Sequence, residues 1–89
     1  MRISGVQRNI LLILAACFVK GIRSIDSVSL RDAVEYKEKA KVDRANFRKS
    51  CLTLVDNGLI MRIDTGEEIQ INITPEGYEK ALELRETTK

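Results

Sequence analysis

The stretch Leu54-Val55-Asp56-Asn57-Gly58-Leu59-Ile60-Met61-Arg62 decides how this chain is read. On its upstream side, Phe47, Cys51, Leu54 and Val55 recur at i, i+4, i+7 and i+8, the spacing that lines one face of an α-helix. Asn57-Gly58 closes that helix, because Gly enters the left-handed conformation of a helix end without a Cβ penalty. Downstream, Leu59 to Ile63 alternates, Asp64-Thr65-Gly66-Glu67 supplies turn residues, and Glu68 to Ile73 alternates again with Ile69, Ile71 and Ile73 on one face. This predicts a two-stranded hairpin with one face buried. Thr74-Pro75-Glu76 then opens a last helix, Thr74 as cap and Pro75 at the first position, where a missing N–H costs nothing. Its expected inner stripe is Tyr78, Ala81, Leu82 and the stem of Arg85, and the tail from Glu86 is expected to fray.

Working back from the same stretch, Asp43 is the expected N-cap of the helix over 44–57, with Val42 packing on Phe47 as a hydrophobic staple. Ala40 to Val42 is a brief connector. Before it a helix is predicted from Leu30 to about Lys39, capped by Ser29, with Leu30, Ala33, Val34 and Lys37 inward and Tyr36 helping. Ile22 to Val28 reads as an irregular link anchored by Ile25 and Val28. A first helix starts after Ser4 and stops at Gly21, with Val6, Ile10, Ile13, Leu14, Cys17 and Phe18 as its apolar stripe. Leu11, Leu12 and Ala15 widen that stripe beyond one face. They predict an exposed apolar strip, hence a homodimer interface on this helix.

Composition bounds what the chain can do. Its 89 residues, 44% hydrophobic and 31% charged, suit one small soluble domain over 1–89. There is no His, which removes His-based catalytic triads and His metal sites. Cys17 and Cys51 lie far apart in apolar surroundings and read as core thiols rather than a disulfide or metal pair. No metal or cofactor is expected. The five Gly stand at element ends, not in a phosphate loop, and the adjacent Glu67 and Glu68 point to alternate faces. No nucleophile–base set follows, so no enzyme is expected, and no small-molecule pocket can be argued. The apolar run Ile10–Val19 is half the ~20 residues of a membrane span. Lys20, Ile22 and Arg23 follow it where a leader peptide would need small residues, so a cytoplasmic, non-membrane protein is expected.

The net charge of +2 is modest, but its distribution is not even. Lys37, Lys39, Lys41, Arg44, Arg48 and Lys49 stand against only Glu38 and Asp43, whereas residues 56–89 carry eight acidic and four basic side chains. A compact basic block suits a polyanion, because each neutralised phosphate releases counterions. Two helices joined by a connector, the second with a basic outer face, form the pattern of a helix-turn-helix whose second helix enters the DNA major groove. With Phe47, Cys51 and Leu54 inward, Ala45, Asn46, Lys49 and Thr53 point outward and Arg44 and Arg48 lie along the flank. Asn pairs with adenine, Arg or Lys with guanine, and small Ala45 permits close approach.

The chain from about 28 to 84 resembles the winged-helix pattern of MarR-like small transcriptional regulators. That pattern is a leucine, three residues, Gly-Leu-Ile, a nearby Arg, a hairpin wing, then Leu-Thr-x-x-Gly; here Leu54, Gly58-Leu59-Ile60, Arg62 and Ile73-Thr74-Pro75-Glu76-Gly77 stand in those places, with Ile73 for the usual Leu. The resemblance implies a fold that is mainly α with a β-hairpin: a three-helix core, a two-stranded wing and a C-terminal helix. It also implies that Asp43 to Thr53 is the recognition helix and that Arg62 meets the DNA backbone. The chain departs from the pattern in its short acidic wing tip, Asp64-Thr65-Gly66-Glu67-Glu68, which limits expected wing contacts to Arg62 and Thr65. The connector Lys37 to Val42 is longer than the family turn, and the long terminal dimerisation helices are missing or short. The expected contacts to double-stranded DNA are Lys41, Arg44, Ala45, Asn46, Arg48, Lys49, Thr53, Arg62 and Thr65. A homodimeric regulator of transcription is the expected function, and a winged-helix protein-interaction module in a replication, transcription or segregation complex is the alternative.

Overall fold

The computed structural model describes residues 2–87. The element order is α1 (Gly5–Val19), β1 (Ile25–Asp26), α2 (Ser27–Glu38), α3 (Arg44–Asp56), β2 (Ile60–Asp64), β3 (Ile69–Ile73) and α4 (Pro75–Thr87). Helices dominate, and the strands form one antiparallel sheet in the order β1-β3-β2. The predicted hairpin is β2–β3, in register from Ile60 opposite Ile73 to Asp64 opposite Ile69. The third strand replaces the irregular link expected at Ile22–Val28. Ile25 and Asp26 pair with Ile71 and Gln70. A two-residue strand is too short to show any alternation, so only a partner across space could define it.

That strand also moves the start of α2. Asp26, not Ser29, is the N-cap: its carboxylate accepts the Ser29 amide at 2.9 Å. The helix begins at Ser27 and its buried stripe is Leu30 and Val34. Tyr36, two residues beyond Val34, turns to the opposite side and is 88% exposed, and Lys37 is exposed as well. The other caps fall where the sequence places them. Ser4 and Gln7 form a reciprocal capping box on α1, Asp43 accepts the Asn46 amide at 2.7 Å, and Thr74 accepts the Gly77 amide at 3.0 Å. The end of α3 has Gly58 at φ +73°, with the Leu59 amide reaching back to the Leu54 carbonyl.

The core is aliphatic and α1 runs through its middle, touching α2, α3, α4 and β3. Ile10, Leu11, Leu30, Leu54, Ile60, Ile71, Val34 and Cys51 are its largest fully buried side chains. Leu11 is fully buried and Ala15 is 3% exposed, so the exposed strip predicted for Leu11, Leu12 and Ala15 does not exist; Leu12 is half-buried against the same cluster. With α4 on one side and α2 and α3 on the other, α1 needs apolar residues nearly all round. The outward apolar residues are instead Phe18, Val19 and, just past the helix, Ile22. In α4 the inner stripe is Tyr78, Ala81 and Leu84, and Leu82 faces out at 37% exposure. The helix is continuous through Glu86 to Thr87, and the remainder of the tail expected to fray lies outside the described residues.

Candidate nucleic-acid interface

The first half of α3 owes its position to its own sequence. Asp43 fixes the start, and Phe47, Ser50, Cys51 and Leu54 seat one face in the core. Arg44, Ala45, Asn46, Arg48 and Lys49 are therefore outside. Across from them stands the sheet. Arg62 lies opposite Ile71 and so shares the inward face of the hairpin. It reaches far enough towards α3 for its cation to act on Cys51. Burial pushes that thiol up to about 11, and the Arg62 charge offsets part of the rise.

Between α2, α3 and the sheet lies a concavity of about 630 Å³, lined by Ser27, Val28, Arg31, Arg44, Ala45, Phe47, Arg48, Arg62 and Ile69. Four arginines thus converge on one bay: one on α2, two on α3 and one on β2. Among the described residues the ion pair within 4 Å is Lys80–Glu83 on α4, so none of the four has a carboxylate partner at that distance. Three acids close to them in sequence accept backbone amides. Glu35 takes the Val42 amide at 2.7 Å, Asp26 takes Ser29 and Asp43 takes Asn46. Val28, Phe47 and Ile69 give the bay an apolar part of its lining.

The structure divides the sequence-predicted contacts. Arg44, Ala45, Arg48 and Arg62 meet in the bay. Asn46 and Lys49 are exposed elsewhere on α3, and Lys41 is exposed on the connector. Thr53 is half-buried and its hydroxyl donates to the Lys49 carbonyl at 3.0 Å. Thr65 sits in the wing turn with its hydroxyl donating to the Glu68 carbonyl and accepting the Glu68 amide. Both hydroxyls are thus committed within the chain. The residues that sequence reading missed are Ser27, Val28, Arg31 and Ile69. Arg31 follows Ser27 and Val28 at i+4 and i+3, but the signal is readable only once α2 is known to begin at Ser27. Among the described residues no group of three acidic, Cys or His side chains is placed to hold a metal, and no helix is long and apolar enough to cross a membrane.

No protein-family model matches this chain, and no curated protein sequence does. Its structure, however, superimposes on solved structures over nearly its whole length. RosR of H. salinarum matches with a TM-score of 0.80 at 20% identity, covering 97% of this chain and 74% of RosR. A complex structure, hsRosR-S1, gives 0.79 at the same identity, covering 97% and 72%. F93 from STIV, described as a winged-helix DNA-binding protein, matches at 0.72 with 14% identity, covering 96% of this chain and 89% of F93. The fold is a winged helix-turn-helix: α2 and α3 are the paired helices, and β2–β3 is the wing.

Proposed function

We propose that this chain binds double-stranded DNA, with α3 facing the major groove, as a small regulator of transcription of the MarR-like kind. The observation that carries the reading is the convergence of Arg31, Arg44, Arg48 and Arg62 on one bay with no carboxylate partner. Like charges brought together without counter-ions repel, and a polyanion supplies what the chain withholds. Base reading falls to Asn46 and Lys49 with Ala45 at the point of closest approach, and Lys41, Arg44, Arg48 and Arg62 serve the backbone. F93, a DNA-binding protein of the same fold, supports the reading.

The test is duplex binding measured across salt concentrations. The expected result is a log affinity that falls linearly with log salt, by about 0.9 per phosphate contacted. Replacing Arg48→Ala and Lys49→Ala together should cost at least about tenfold in affinity with the fold intact by circular dichroism. A folded double variant that binds as the wild type does would remove α3 from the interface. A wild-type chain that binds no duplex at low salt would overturn the reading and favour a protein-interaction module, for which Met61 and Ile63 on the wing offer exposed apolar side chains.

A homodimer belongs to this reading. A twofold pair would set two copies of α3 on successive turns of a palindromic site, about 34 Å apart. Phe18, Val19, Ile22 and Leu82 are among the exposed apolar side chains open to such contact, whereas Leu11 and Ala15 are not. Sedimentation at micromolar concentration should show a dimer; a strict monomer would remove the dimer while leaving duplex binding to its own test.

A further inference from the structure

Of the four arginines that line the bay, Arg31 is the one on α2, away from both α3 and the wing. We propose that Arg31 on α2 is the second jaw of a phosphodiester clamp, gripping with Arg62 across the bay the sugar–phosphate backbone beside the groove that α3 reads. This rests on the duplex-binding reading and adds to it where the backbone runs.

Arg31 is half-buried, so its stem is packed while its guanidinium lines the bay. Its natural ion-pair partner on the helix is Glu35, one turn on. That carboxylate instead takes the Val42 amide at 2.7 Å, holding the connector between α2 and α3. Asp26 and Asp43, next in sequence to the lining residues Ser27 and Arg44, each take a helix-start amide. Arg31 has no carboxylate within 4 Å among the described residues and keeps its charge for a ligand. The planar guanidinium fork matches phosphate oxygens two at a time. The occupant is a phosphodiester chain for two reasons. Four cations spread over three elements suit successive singly charged phosphates rather than one terminal phosphate group. Val28, Phe47 and Ile69 add apolar lining, which suits deoxyribose. The open shape takes a ridge such as a duplex strand.

The experiment compares the wild type with Arg31→Ala, Arg31→Lys and Arg85→Ala on three duplexes of unrelated sequence and over a salt series. Arg85 lies exposed on α4 and is not among the residues lining the bay, so it controls for loss of net charge alone. Arg31→Ala should lower the salt slope by about one and weaken all three duplexes alike, by roughly three- to tenfold at about 0.1 M salt. Arg31→Lys should restore the slope with part of the affinity, and Arg85→Ala should change neither. Thermal melting of each variant confirms the fold, and Arg31→Lys, which keeps the packed stem, stands in if the alanine variant melts early: it must then bind more weakly than the wild type at an unchanged slope. An unchanged slope in Arg31→Ala overturns the clamp, as does a loss confined to one duplex, which would make Arg31 a base reader. So does adenosine triphosphate displacing the duplex at micromolar concentration through Arg31, which would make the bay a free-nucleotide site. If the wild type binds no duplex, the duplex reading itself has failed and takes the clamp with it, a result distinct from a wild type that binds beside an Arg31→Ala variant that behaves identically.

Discussion

At Gly77 the chain has room for a hydrogen and nothing larger. A Cβ there would overlap the Leu59 carbonyl oxygen and sit 2.9 Å from Ile73 Cγ1, so α4 crosses the end of the sheet by backbone contact. The same corner is tied by Thr74, whose amide donates to the Leu59 carbonyl and whose hydroxyl donates to the Gly58 carbonyl at 2.7 Å. Gly77→Ala should therefore destabilise the fold by at least about 2 kcal/mol in thermal or urea unfolding. Gly5→Ala is the contrast: a Cβ there meets only Glu38 Oε1 at 3.4 Å, in the first turn of α1, and should stabilise by about 0.5 kcal/mol. Cys51 gives a prediction in pH. Its folded pKa of about 11 lies above the ordinary 9.0, mainly through burial. The unfolded thiol loses its proton first, so the stability from keeping Cys51 neutral is complete below about pH 9 and declines as pH rises towards 11. Urea unfolding between pH 8 and 11 should show that decline, and Cys51→Ala should flatten it while lowering stability overall.

Among the elements, α1 is where sequence reading went furthest astray. Its apolar residues were expected to serve two surfaces, one inside and one for a partner. In the structure they serve one continuous core, because α4 returns across the side left open by α2 and α3. Leu11→Ala should cost about 2–5 kcal/mol in unfolding free energy, independently of protein concentration. Leu82→Ala, at a partly exposed position, should cost under about 1 kcal/mol in the isolated chain. Equal and small losses at both positions would return Leu11 to the surface. The element α2 shows the same limit more gently. Its middle was predictable from Leu30 and Val34, but its start depended on β1, whose two residues are strand only because Ile71 and Gln70 lie beside them.

Over the whole molecule, charge is sorted more sharply than the net +2 implies. The arginine bay and the exposed lysines of the connector and α3 form one pole. The wing tip carries Asp64, Glu67 and Glu68, held in a tight turn by the Gly66 amide on Asp64 and the Thr65 amide on the Glu68 carbonyl. Ile69, which lines the bay, pairs with Asp64 beside the wing turn, so a duplex in the bay meets the field of its acidic tip. Glu67→Gln with Glu68→Gln should raise duplex affinity by roughly two- to tenfold at low salt and by much less at about 0.2 M, where screening shortens the field. No change at low salt would place the tip clear of the nucleic acid.

The sequence alone determined the helix periods, the caps at Ser4, Asp43 and Thr74, the Gly58 stop, the wing hairpin and the basic outer face of α3. Each of these is set by neighbours a few residues apart, through backbone hydrogen bonds and the periods of 3.6 and 2. Only the tertiary structure decided that Leu11 is core, that Ile25 and Asp26 are strand, that Leu82 and Tyr36 face out, and that Arg31 joins Arg44, Arg48 and Arg62. Those four outcomes depend on which distant segments pack together, and a periodic pattern carries no information about what comes to cover it.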